Sequence, residues 1–80
     1  MENVRAVPRY PTNRPARISL GDGSVIHCCI RDLSTRGARI ELAAPANIPD
    51  SFVLAIANLG VRHRCHVAWR ADNFMGVYFD

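Results

Sequence analysis

From Val61 to Arg70 the chain alternates without a break, with Val61, His63, Cys65, Val67 and Trp69 on one side and Arg62, Arg64, His66, Ala68 and Arg70 on the other. Successive side chains of a β-strand point to opposite faces, so this period of two demands a strand with one face in a core and a basic face in water. The same period recurs along the chain. Ala16, Ile18 and Leu20 alternate with Arg17 and Ser19, Ala38, Ile40 and Leu42 with Arg39 and Glu41, and Met75, Val77 and Phe79 with Phe74, Gly76 and Tyr78. Phe52, Leu54 and Ile56 mark a further strand. Residues 24–31 put Ile26, Cys28 and Ile30 on one face and Val25, His27 and Cys29 on the other, which predicts a strand covered on both sides. No segment sustains a helical period.

Turn residues separate these stretches. Gly21-Asp22-Gly23 favours a hairpin, Asp32 to Gly37 reads as a polar loop between two strands, and Ala43 to Asp50 carries Pro45 and Pro49. Asn58-Leu59-Gly60 and Ala71-Asp72-Asn73 supply two more turns. Six short strands in 80 residues are too few for two full sheets, and closing them into one antiparallel β-barrel removes exposed edges. The expected architecture is therefore all-β. Pro8, Pro11 and Pro15 remove amide donors and disfavour helix before them, so residues 1–15 are expected to form an extended arm and residues 16–80 the barrel. The arm has few apolar contacts to offset its ordering, and Met1 to about Arg14 is expected to be flexible until a ligand orders it.

The net charge is +3, and all ten basic residues are arginine. Arg5, Arg9, Arg14 and Arg17 lie near the N-terminus with only Glu2 to oppose them. Arginine offers a planar fork suited to phosphate or guanine, so an anionic partner is implied. No apolar run approaches the roughly eighteen residues of a membrane span, and the N-terminus lacks a signal-type apolar segment, so a cytoplasmic location without membrane insertion is expected. Three cysteines, Cys28, Cys29 and Cys65, fit reduced thiols better than a disulfide framework.

Two patterns carry chemistry. Asp32, Ser34 and Gly37 form D-x-S-x-x-G: the carboxylate can accept from the N–H edge of guanine, the hydroxyl can donate to an anionic oxygen, and the glycine permits positive φ or close backbone approach. The plainer reading is a turn whose Asp and Ser cap their own amides. Arg5 and Arg9 form R-x-x-x-R, able to converge on one small ligand, or else a solvated basic terminus. Taken together, with a strand, a turn and a second strand between them, these motifs resemble the PilZ domain family over nearly the whole chain. Val67-Ala68-Trp69-Arg70 and Gly76-Val77-Tyr78-Phe79 look like that family's closing strands.

The resemblance implies a six-stranded barrel that binds cyclic di-GMP and is a receptor, not an enzyme. Arg5, Arg9, Asp32, Ser34 and Gly37 match the ligand-binding motifs, and Arg36 is a further candidate for phosphate or stacking contact. No catalytic residue, metal or cofactor is expected, and a separate downstream protein is expected to read the arm. Competing readings are an adaptor of the same fold that works without ligand, and a barrel for single-stranded nucleic acid using Tyr10, Tyr78 and Phe74; Arg5 and Arg9 argue against the first. His27, Cys28, Cys29, His63, Cys65 and His66 do not suit a zinc site, because Cys28 and Cys29 point to opposite faces and no C-x-x-C pair exists. Trp69 shares the face of Val61, Cys65 and Val67 and is expected in the core with His63 and Cys65.

Overall fold

The computed structural model describes residues 10–44, 46–57 and 60–80. Arg5, Arg9, Pro45 and the Asn58-Leu59 turn lie outside the described residues, as does the arm as far as residue 9. Six strands form as the alternation requires: β1 (Tyr10–Ser19), β2 (Val25–Leu33), β3 (Gly37–Leu42), β4 (Ser51–Ile56), β5 (Val61–Ala71) and β6 (Phe74–Phe79). They close into an antiparallel barrel in the order β1-β2-β3-β6-β5-β4, with β4 returning to β1.

Each strand contributes its alternate apolar residues to one core. Ile18, Ile30, Ile40, Leu54 and Cys65 are fully buried, and Met75, Val77, Phe52 and Leu42 are nearly so. Burying an aliphatic side chain of this size is worth about 1.5–3 kcal/mol, so these inward residues hold the barrel closed. Ile48 enters the same core from the long β3–β4 connection. Asn73 in the β5–β6 turn donates through Nδ2 to the Leu42 carbonyl at 2.9 Å and accepts from the Leu42 amide at 2.7 Å, tying that turn to the end of β3. On the outer surface Ser51, His66 and Asp80 form a hydrogen-bonded chain, with contacts of 3.0 and 2.6 Å at the two ring nitrogens, that links β4, β5 and the last residue.

Features of β1 and β2 differ from what the sequence predicts. β1 begins at Tyr10, ahead of the alternation that starts at Ala16. A register shift between Pro11 and Arg14 breaks the period there, and β4 pairs only with Ala16–Ser19, so the prolines sit where one edge of β1 needs no ladder donors. β2 is covered on its inner face alone, since His27 and Val25 are exposed. It also runs on to Leu33, leaving a loop shorter than the polar segment suggested.

The extension of β2 depends on a bulge. Ile30 pairs with Ile40 and Asp32 with Arg39, so Arg31 is an extra residue on β2. An inserted residue reverses which face the following side chains take. Beyond it Leu33 turns inward to the core and Asp32 outward. β5 carries a second bulge: Val67 pairs with Val77 and Trp69 with Gly76, leaving Ala68 extra. Trp69 is consequently on the outer surface at 44% exposure, which corrects its assignment to the core. Cys65 and His63 precede the bulge; Cys65 is fully buried and the His63 ring stacks on Phe79 with centroids 4.2 Å apart.

Gly37 starts β3 directly against β6. A Cβ at this position would overlap the carbonyl oxygen of Val77, so the glycine serves close backbone approach and not positive φ. The neighbouring atoms are backbone and can yield only if the ladder moves. Gly37→Ala is therefore expected to destabilise the barrel by about 1–3 kcal/mol, the usual range for overpacking, read as a lower urea midpoint at unchanged slope. A midpoint equal to the parent's would show that β3 and β6 separate freely there.

Candidate functional site

The two bulges place four residues in one outward row across four strands. Asp32 on β2 faces Arg39 on β3, Arg39 faces Gly76 on β6, and Gly76 faces Trp69 on β5. The row forms the floor of a depression of about 240 Å³ whose walls include Ser34, Arg36, Gly37 and Tyr78. A Cβ at Gly76 would overlap Nε1 of the indole, so the missing side chain is what lets Trp69 lie across β6. The result is a shallow aromatic shelf with charged groups at its far end.

Arg39 is fixed from two sides. Its Nε donates to Oδ2 of Asp32 at 2.6 Å, and its guanidinium lies 5.1 Å above the Phe74 ring centre. Such a pair, with side chains 37% and 21% exposed, adds little to stability, but it aims both groups along the row. Arg39 followed from the alternation of β3 as an outward residue; its place beside Asp32 did not, because it requires the Arg31 bulge.

Ser34 shapes the loop. Its amide donates to the Gly37 carbonyl at 2.9 Å, and its hydroxyl oxygen accepts from the amides of Arg36 at 3.1 Å and Gly37 at 3.2 Å. The turn-capping reading of this serine therefore holds, and the same bonds set the backbone that bounds the depression. The Arg36 carbonyl accepts from the Phe79 amide at 2.7 Å, which anchors the loop to β6. Thus Asp32, Ser34, Arg36 and Gly37 are brought together in one place. Arg5 and Arg9 lie outside the described residues.

Residues 3–80 match the PilZ domain, essentially the whole chain, and the protein belongs to that family. PilZ domains are cyclic di-GMP-binding receptor domains and not catalytic ones. No individual curated protein matches the chain. Among the described residues there is no helix long and apolar enough to cross a membrane.

The thiols sit apart from this depression. Among the described residues no three His, Cys, Asp or Glu side chains are grouped to hold a metal. Burial, followed by the neighbouring Cys29 and Cys65, pushes the Cys28 thiol up to about 12, and burial followed by Asp80 pushes Cys65 up to about 11. Both groups are thus neutral at physiological pH and poor nucleophiles. Because each folded pKa lies above the ordinary value of 9.0, the folded state holds protons that the unfolded chain has released. Their contribution is fully present below pH 9 and is lost as pH rises towards 11–12. Urea midpoints measured across that window should fall with pH, and the fall should be smaller in Cys28→Ala and Cys65→Ala proteins compared with their own neutral-pH midpoints. An identical slope in both variants would locate the titration elsewhere.

Proposed function

We propose that the depression built on Asp32, Arg39, Gly76 and Trp69 binds cyclic di-GMP, and that Arg5 and Arg9 from the N-terminal arm complete the site. The observation that carries this reading is the exposed Trp69 indole in one row with the Asp32–Arg39 pair. An indole offers a stacking surface for one guanine, an interaction worth about 1–3 kcal/mol per base. The Asp32 carboxylate, aimed along the row by Arg39, is placed to accept from a guanine N–H edge. Arg36 faces the same space and supplies charge for the phosphodiester, while Ser34 and Gly37 set the loop backbone. Tyr10, which follows Arg9 in sequence, pairs with Leu33 between Asp32 and Ser34, so the arm joins the barrel beside the loop.

In this reading the ligand bridges arm and loop, and the bridged arm alters the outer surface that a partner protein meets. The protein signals by that change and performs no chemistry. Tyr10 and Tyr78 are exposed, as a nucleic-acid barrel would need, but Phe74 is half-buried beneath Arg39, so these three residues do not supply three free stacking faces.

Calorimetric titration tests the reading. Cyclic di-GMP is expected to bind at micromolar or lower concentration, with cyclic GMP and GTP far weaker because each has one guanine and lacks the cyclic diester. Arg9→Ala removes charge-assisted bonds worth roughly 1.5–3 kcal/mol each and should weaken binding about tenfold or more. Trp69→Ala should weaken it by about tenfold with the fold intact, since the indole is outside the core. Equal affinity for cyclic GMP, or unchanged affinity in both variants, would place the ligand elsewhere.

A further inference from the structure

On the outer face of β1, β4 and β5 lies a second surface that, among the described residues, shares none with the ligand depression. Arg17 on β1 pairs with Ala55 on β4, and Ala55 pairs with Arg62 on β5, so two exposed arginines flank one small residue. They border a groove of about 500 Å³ with no acidic residue among the described residues that line it. Val25 and Val61 border the same groove and are exposed at 45% and 39%. One strand step towards the end of the domain, Arg64 pairs with Val53 and is exposed as well. Among the described residues none of these three arginines forms an ion pair, whereas Arg31, Arg39 and Arg70 each hold a carboxylate. Asp80, whose amide donates to the Arg64 carbonyl at 3.0 Å, has its carboxylate bonded to His66.

We propose that this face is the docking surface for an extended acidic segment of a partner protein, with carboxylates set against Arg17, Arg62 and Arg64 and apolar side chains against Val25 and Val61. The occupant follows from charge and spacing. Alternate residues of a strand stand about 7 Å apart on one face, so Arg62 and Arg64 match carboxylates two residues apart in an extended chain. Arg17 lies two strands away from Arg62, about 10 Å, within reach of a carboxylate on a flanking residue. Guanidinium forks take carboxylates in bidentate fashion, and a cluster of them with no counter-charge among the described residues favours an anion. Single-stranded nucleic acid is the weaker match, because base stacking needs exposed aromatics and the groove lining has none. Small Ala55 between the arginines keeps the floor low enough for a backbone to approach.

Because the groove and the depression share no lining residue among the described ones, ligand and partner segment can be held together. The proposal does not depend on which nucleotide the depression takes.

The test uses fluorescence anisotropy of a fluorescein-labelled peptide of alternating Glu and Val, with oligo(dT) and vesicles containing phosphatidylserine as rival anions. The parent protein should bind the peptide more tightly than either rival, and more weakly as salt is raised. The double substitution Arg17→Glu and Arg62→Glu should weaken peptide binding about tenfold or more, Arg64→Glu less so, with thermal midpoint and cyclic di-GMP titration unchanged. Both positions are exposed, so loss of fold is not the expected cause of any change, and the thermal midpoint checks this. Tighter binding of oligo(dT) or vesicles, lost in the same double variant, would overturn the choice of partner. Peptide affinity equal in parent and double variant would overturn the surface itself.

Discussion

Two extra residues, Arg31 in β2 and Ala68 in β5, decide which side chains leave the core of this barrel. Strand period is two, so a single inserted residue moves every later side chain to the opposite face. Without the first bulge Asp32 would point into an apolar interior, where an unpaired carboxylate is strongly disfavoured. Without the second, Trp69 would continue the inward series of Cys65 and Val67. With both, Asp32 and Trp69 arrive at the two ends of one row whose middle is Arg39 and Gly76. The candidate site is thus a consequence of register, and its groups come from four strands.

Bulges of this kind are tolerated because the remainder of the barrel is regular. Ile18, Ile30, Ile40 and Leu54 interlock at the centre, and the ladder closes fully, so local irregularity at one end does not open an edge. Gly37 and Gly76 allow the close approaches that follow, the first of backbone on backbone and the second of an indole on a strand. Stability therefore resides chiefly in the inward residues and the chemistry of the candidate site in the outward ones, with the two glycines serving both. The same division leaves the outer face of β1, β4 and β5 free of any part in the depression, and its three arginines without acidic partners among the described residues.

The barrel was legible in the sequence because each strand declares its inner face: Ile18 in β1, Ile40 in β3, Leu54 in β4 and Met75 in β6 all follow simple alternation. The motif residues Asp32, Ser34 and Gly37 were legible for a different reason, since aspartate, serine and glycine at that spacing serve a tight loop whether or not a ligand is present. Trp69 was not. Alternation from Val61 runs unbroken through Trp69 in the sequence, and nothing in the residue types of Val67 and Ala68 reveals that the ladder slips between them. Arg39 was visible as a surface residue yet its partnership with Asp32 depends on the same kind of slip in β2. The start of β1 was hidden likewise, by prolines that suit an edge as well as they suit a free arm.

Trp69 is the protein's one tryptophan and lines the depression, so its emission reports from that place. Titration with cyclic di-GMP, following that emission alongside the heat of binding, tests directly whether guanine stacks on the bulge-presented indole. Saturable quenching at the same ligand concentrations that saturate the heat signal is the expected result. Unchanged emission at concentrations where the heat signal is complete would contradict it, and would separate the dinucleotide site from the row of Asp32, Arg39, Gly76 and Trp69.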